Sequence, residues 1–245
     1  MAGAKILSLR QLKAKKYKFL SDIPDPISQS FGQLVSSFVL LVYGASGNGK
    51  SNLMIQLMKA LAKNGKCLYI ALEEGHGISM QLLVNRHLSD EYSGKIVFAD
   101  HTMTYDRLRE RLRRQRSEQF LFIDSVQYWR INYEMYVKLK EEFSHKTFIF
   151  VSHAEGKNPL GKTAKDIEYD ATIKIRVEGC IGFIRSRLGG NKPYVIWEEG
   201  ARRYWGDKEF EKITGIKPER KRKTTVKNEK VQNEKNTSDE QRISG

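Results

Sequence analysis

The sequence predicts an α/β chain built on a mainly parallel, twisted sheet with helices on both faces and a C-terminal antiparallel β extension. Three observations predict it. Short, almost wholly apolar runs alternate with helix-period segments through residues 38–152, and uninterrupted apolar strands belong to sheets covered on both faces. A glycine-rich loop joins the first such run to the first helical segment. From Ala171 the rhythm changes to strand-like runs joined by Gly-rich turns.

The elements follow in order. Residues 1–30 read as a basic arm that ends in the turn-rich stretch Asp22-Ile-Pro-Asp-Pro26. Residues 38–43 are a buried strand. Residues 51–64 are helical through Leu53, Ile55, Leu57, Met58 and Leu61, and Gly65 ends them. A strand at 66–72 is followed by a helix at 78–88 and a short strand at 95–99. Residues 105–119 form an arginine-rich helix in which Leu108 and Leu112, four apart, share one face. Residues 120–124 are a strand ending in Asp124, 134–143 a helix, and 147–152 a strand. The late strands fall at 172–177, 182–187 and 194–197. Residues 217–245 carry nine Lys/Arg and five Asp/Glu with almost no large apolar side chain. Such a stretch cannot offset its ordering entropy and is expected to be a disordered basic tail.

Composition narrows the classes. The chain has 245 residues, with 43 Lys+Arg against 29 Asp+Glu, a net charge of +14. No run approaches the roughly 18 apolar residues that span a bilayer, and lysines stand where a signal peptide needs an apolar core, so the chain reads as cytoplasmic, with no membrane partner. Two cysteines, Cys67 and Cys180, make no disulfide framework and read as buried, reduced thiols. The positive charge favours a polyanion partner, nucleic acid first. The arginine block at 107–116 is read either as a solvated helix face or as a phosphate-backbone contact.

The sharpest signal is the loop Gly44-Ala45-Ser46-Gly47-Asn48-Gly49-Lys50-Ser51, followed by Asn52. It fits G-x-x-x-x-G-K-[ST], follows a strand and opens a helix. Glycines let backbone N–H groups curl around phosphates, and the helix N-terminus adds a positive dipole end. Lys50 then reaches the terminal phosphates, while Ser51 and Asp124 are the expected Mg²⁺ ligands. Glu73 and Glu74 end the second strand, where a water-orienting carboxylate belongs, and Ser152-His153 ends the strand at 147–152. These parts predict bound ATP and Mg²⁺.

The order of parts resembles the RecA superfamily, in particular its RadA-like and DnaB-like ATPases. The resemblance runs from about Ile23 to Trp197 and is carried by Leu68-Tyr-Ile-Ala-Leu-Glu-Glu-Gly75, Phe150-Val-Ser-His153, the stretch 161–171 with Asp170, and Arg185-Ser-Arg-Leu-Gly189. Arg185 and Ser186 stand where that family carries Lys and Asn. The resemblance implies a RecA-like ATPase core over residues 31–210, a minimal one of the kind found in phages and mobile elements. It implies that Glu73 polarises the attacking water, that His153 links nucleotide state to a DNA-binding loop, and that Arg185 and Arg187 act as arginine fingers in a neighbouring subunit of a ring or filament. Two loops are expected to face single-stranded DNA: residues 127–133, with Trp129 and Arg130, and residues 154–166, with Lys157, Lys162 and Lys165. The function implied is a DNA-dependent ATPase of recombination, repair or replication, with a protein partner from those processes. The alternative is a nucleotide-switched regulator or loader that binds a protein partner.

Overall fold

The structure is a computed structural model that describes residues 6–217. The expected tail at 217–245 lies outside the described residues apart from Lys217. In chain order the elements are α1 (Leu9–Lys13), α2 (Ile27–Phe31), β1 (Val39–Tyr43), α3 (Lys50–Leu61), β2 (Cys67–Ala71), α4 (Ile78–His87), β3 (Ile96–Ala99), α5 (Tyr105–Arg113), β4 (Phe120–Asp124), α6 (Val126–Trp129), α7 (Tyr133–Glu142) and β5 (Thr147–Ser152). They continue with β6 (Ala154–Glu155), β7 (Asn158–Pro159), α8 (Lys162–Asp170), β8 (Ile173–Glu178), β9 (Ile181–Ser186), β10 (Tyr194–Val195), α9 (Glu198–Trp205) and α10 (Asp207–Thr214).

One sheet takes eight of the strands in the order β10-β9-β8-β1-β5-β4-β2-β3. The pairs β8–β1, β1–β5, β5–β4, β4–β2 and β2–β3 are parallel. Within this sheet β9 alone is reversed, pairing antiparallel with both β8 and β10, so β8, read from sequence with the late strands, closes the parallel part instead. β1 sits at the centre, flanked by the wholly buried β5 and by β8, whose Ile173, Ile175 and Val177 alternate with Lys174, Arg176 and Glu178.

Strand alternation divides the core. Leu40 and Val42 face α2, α3 and α4 with Phe31, Leu53, Leu57 and Met58. Leu41 and Tyr43 face α5, α7 and α8 with Leu108, Leu112, Tyr136 and Ile167. Each fully buried Leu or Phe on these faces stabilises the fold by about 1.5–3 kcal/mol. The arm boundary expected at residue 30 falls inside α2, because Leu20, Ile23, Ile27 and Phe31 all pack on the first core. At the other end, α9 and α10 lay Ala201, Phe210 and Trp205 over Ile181 and Phe183, so a boundary at 210 cuts α10.

The arginine-rich helix is shorter than its pattern predicts. It stops at Arg113, and residues 114–119 turn back. The reason is β4: the N–H groups of Gln119 and Phe120 are taken by the Lys66 carbonyl, at 2.9 and 3.1 Å, so the chain must already be extended there. The arginines of α5 mostly face carboxylates. Arg109 and Arg113 bind Glu142 of α7, and Arg111 grips Glu118. Among the described residues no helix is long and apolar enough to cross a membrane. Cys67 is buried and free, whereas Cys180 is only half-buried.

Candidate nucleotide site

The site lies at the carboxyl edge of the sheet, where β1, β2, β4 and β5 end side by side. β1 delivers the loop 44–49, and α3 opens at Lys50 with Gly49 as its N-cap at φ +98°, a left-handed conformation that an L side chain rarely adopts. Lys50 Nζ folds back over the loop and donates to the carbonyls of Gly44 and Ala45, both at 2.9 Å. Burial pulls its pKa down, opposed by the charges of Asp124 and Glu73.

Asp124 ends β4 beside Ala71 of β2. Its carboxylate accepts a hydrogen bond from the buried Tyr69 hydroxyl. Burial raises its pKa, and Glu73 pushes the same way, against the Tyr69 hydrogen bond and Lys50. The peptide that follows, Asp124–Ser125, is cis. Glu73 and His153 meet across the mouth, with Nε2 and Oε2 3.1 Å apart. Glu74 points instead to α4, where it accepts from Ser79 Oγ at 2.9 Å.

These groups line one cleft of about 440 Å³, from Ser46, Gly47 and Gly49 through Ser51 to Glu73, Asp124 and His153. Two further lining residues, Asn52 and Ser125, each carry a buried oxygen with no hydrogen-bond partner among the described residues. Buried polar atoms are normally paired, so these two invite a ligand or its water. The donor set suits Mg²⁺, which takes one or two carboxylates, a hydroxyl and substrate phosphates in place of an all-protein cage. Ser51 and Asp124 are the residues that would hold it.

The other predicted residues are dispersed. Trp129, expected in a loop facing DNA, is packed into the core: it is buried, meets Tyr105 at a tilt, and donates from Nε1 to the Met103 carbonyl at 3.3 Å. It is drawn inward because 126–129 form α6 rather than an open loop. Arg130 is exposed at φ +54°. Lys157 tips the β6–β7 hairpin, and Lys162 and Lys165 lie exposed on α8. The hairpin is tied to His153, whose carbonyl accepts from Leu160 N at 2.9 Å. Gln127 spans the same corner, donating to Ser152 Oγ and to the Leu160 carbonyl, both at 2.8 Å. Arg185 and Arg187 are exposed on and just after β9 and do not line the cleft; Arg185 lies 3.6 Å from Glu168, and Arg187 donates to the Tyr169 carbonyl.

Sequence reasoning missed the support of the loop. Asn48 Oδ1 accepts from Gly179 N at 2.7 Å, and its carbonyl accepts from Cys180 N at 3.2 Å. Gly179 is in turn held by Trp205, whose Nε1 donates to its carbonyl at 3.2 Å. A Cβ at Gly179 would lie 2.3 Å from the Tyr204 ring. The loop is thereby clamped by the β8–β9 turn and α9, across 131 positions of sequence, with no local signal that could reveal it.

A scan against protein-family models finds no match, and a search of curated proteins finds no similar sequence. Among solved structures the chain is similar to a KaiC-like protein from the hyperthermophilic archaeon Pyrococcus horikoshii, at 21% identity and a TM-score of 0.52, over 70% of this chain and 89% of that one. Taken with the sheet order and the loop geometry, the likeness gives the fold: an α/β, RecA-like architecture with a mainly parallel sheet and an antiparallel extension.

Proposed function

We propose that this protein is a Mg²⁺-dependent ATPase that acts on single-stranded DNA. The observation that carries the ATPase reading is the convergence of Lys50, Ser51, Asp124 and Glu73 on one cleft that also holds the unpartnered oxygens of Asn52 and Ser125. The loop N–H groups and the α3 N-terminus receive the phosphates. Lys50 exchanges the carbonyls of Gly44 and Ala45 for phosphate oxygens, a neutral-to-anionic exchange favoured in a partly dry site. Mg²⁺ held by Ser51 and Asp124 would withdraw charge from the β- and γ-oxygens. Glu73, oriented by His153, holds a water against the γ-phosphorus and takes its proton as the P–O bond to ADP breaks, leaving ADP and phosphate.

His153 then supplies a route outward. It touches Glu73 with its ring and the β6–β7 hairpin with its carbonyl, so loss of the γ-phosphate alters the support of Lys157, Lys162 and Lys165. Arg185 and Arg187 are exposed and lie outside their own cleft, which supports a reading in which they serve a neighbouring copy in a head-to-tail ring or filament. The resemblance to RadA-like and DnaB-like ATPases supports recombination, repair or replication as the setting.

One observation favours the regulator alternative. With Trp129 in the core, the segment after β4 keeps exposed Tyr128 but loses Trp129 as a base-stacking group. ATP hydrolysis with and without an oligodeoxythymidine separates the readings. Stimulation by the oligonucleotide, absent in Lys50→Ala, is expected; equal rates with and without it favour a nucleotide switch. Mixing Arg187→Ala with Lys50→Ala chains is expected to restore part of the activity, and no recovery would remove the finger from this reading.

A further inference from the structure

The amino edge of the sheet, opposite the nucleotide cleft, carries a second cationic surface. It is built by the turns that precede the strands. Lys18 lies beside Ser36 ahead of β1, with Ser36 N donating to the Lys18 carbonyl at 2.8 Å. Lys66 precedes β2, and Lys95 precedes β3 and accepts from Cys67 N at 2.8 Å. Arg114 and Arg116 precede β4, and His145-Lys146 precedes β5.

Gln119 locks these turns together. Its side-chain amide donates to the Ser36 and His145 carbonyls at 2.8 and 2.7 Å, and its backbone pairs with Lys66 and Thr147. The platform is therefore rigid, and it spans five adjacent strands, about 19 Å at ~4.8 Å per strand. A groove lined by Arg113, Arg114, Arg116, His145 and Lys146, with Glu142 among them, opens ahead of β4 and β5.

The carboxylates of this edge are mostly committed. Glu118 and Glu142 are held by Arg111, Arg109 and Arg113. Glu141 is exposed beside the β1 end, and Asp90 and Glu91 precede β3. Among the described residues, Lys18, Lys66, Lys95, Arg114 and Arg116 are exposed and join no ion pair. Cations at helix C-termini offset the helix dipole, which explains Arg113 at the end of α5. It does not explain Lys66, Lys95 or Arg116, which stand in turns outside any helix. Arg116 even adopts φ +58°, unusual for a side chain of its size. The basic arm pairs with residues 34–36 ahead of β1, through Phe19 and Val35, and brings exposed Tyr17 and Phe19 beside Lys18.

We propose that this amino edge binds the phosphate backbone of single-stranded nucleic acid, with Tyr17 and Phe19 available for base stacking. Cations in a row with aromatic groups beside them suit a strand whose bases are splayed, and an unreadable sequence is expected because the contacts are to phosphates. The inference rests on the proposed DNA reading only for the class of ligand. It adds a surface to the hairpin rather than replacing it, and it needs no nucleotide.

The test uses the full chain and a fluorescent thirty-residue oligodeoxythymidine, followed by anisotropy across a salt series. Lys66→Glu/Arg114→Glu/Arg116→Glu is compared with Lys157→Ala/Lys162→Ala/Lys165→Ala. The edge variant is expected to lose at least tenfold in affinity and to flatten the log K against log[salt] slope by about 2, given ~0.7 per phosphate contact on a single strand. Its oligonucleotide-free ATP hydrolysis should match the unaltered chain, which also reports folding. An unchanged affinity and slope in the edge variant would overturn the proposal, whether or not the hairpin variant loses binding. Loss in the hairpin variant alone would leave the ATPase-on-DNA reading standing without the edge. Oligouridine and duplex arms distinguish RNA, DNA and double strands; tighter binding to duplex than to either single strand, or charge-dependent binding to phosphatidylserine vesicles with none to oligonucleotide, would also overturn it.

Discussion

The two edges of one sheet answer charge in opposite ways. At the carboxyl edge Lys50, Asp124, Glu73 and His153 crowd a cleft in which two buried oxygens have no partner among the described residues. At the amino edge the charges are matched, the buried Glu118 with Arg111, the buried Lys146 with Ser117 Oγ and the Glu118 carbonyl, and the exposed Glu142 with Arg109 and Arg113. The first arrangement costs stability until a ligand arrives, while the second contributes it. A binding site is therefore legible as the place where the fold leaves polar groups unsatisfied.

The largest expected effect is on hydrolysis. Lys50→Ala should lower kcat by about 100-fold or more, the scale of losing a preorganised charge at a transferring phosphoryl group, read in a steady-state phosphate-release assay. If the rate holds, the carboxyl edge is not the catalytic one. Gly179→Ala should come next. The added methyl drives into Tyr204 and Trp205, loosens the turn that holds Asn48, and raises KM for ATP by about tenfold, since each 1.4 kcal/mol lost is a factor of ten. An unchanged KM in a folded variant would show that α9 does not set the loop.

Asp124→Asn should abolish the proposed ATP hydrolysis yet raise the melting temperature measured without nucleotide or Mg²⁺. Removing a buried, desolvated charge that is worth about 1 kcal/mol corresponds to roughly 2–4 °C in a chain of this size. A lower melting temperature would mean that Asp124 is a structural anchor. The smallest effect concerns acid. Burial raises Asp124, so its unfavourable contribution is relieved as pH falls toward its elevated folded pKa. At the amino edge Glu118 and Glu142 are held below the ordinary glutamate value of 4.5; burial alone would raise them, but the arginines outweigh it. Their contribution is present above 4.5 and is lost as pH falls through the depressed folded values. Glu142→Gln should therefore flatten the fall in melting temperature below pH 4.5, while Asp124→Asn should leave a steeper one. Identical acid profiles would erase the difference between the edges.

Much of this was readable along the chain. The parallel strands, the loop 44–51, Asp124 after β4 and Glu73 after β2 come from local pattern, because apolar period and glycine placement are properties of a few neighbouring residues. The burial of Trp129 is not legible in that way. A tryptophan between Tyr128 and Arg130 suits a base or a core equally, and only α6 and the approach of Tyr105 bury it. Likewise residues 105–119 read as one continuous helix, until the β4 pairing to Lys66 ends it at Arg113.

The chain's own order of residues decided which segments are strands and helices and which side chains are fit to meet a phosphate, since φ/ψ preference, hydrophobic period and charge act over short range. Tertiary structure alone decided the company those side chains keep. It joined Asn48 to Gly179 and Trp205, set Glu73 against His153, and gathered Lys18, Lys66, Lys95 and Arg116 from separate turns onto one edge. The physical reason is that a parallel sheet sends every strand the same way, so groups far apart in sequence arrive at one edge by strand order, which no local window contains.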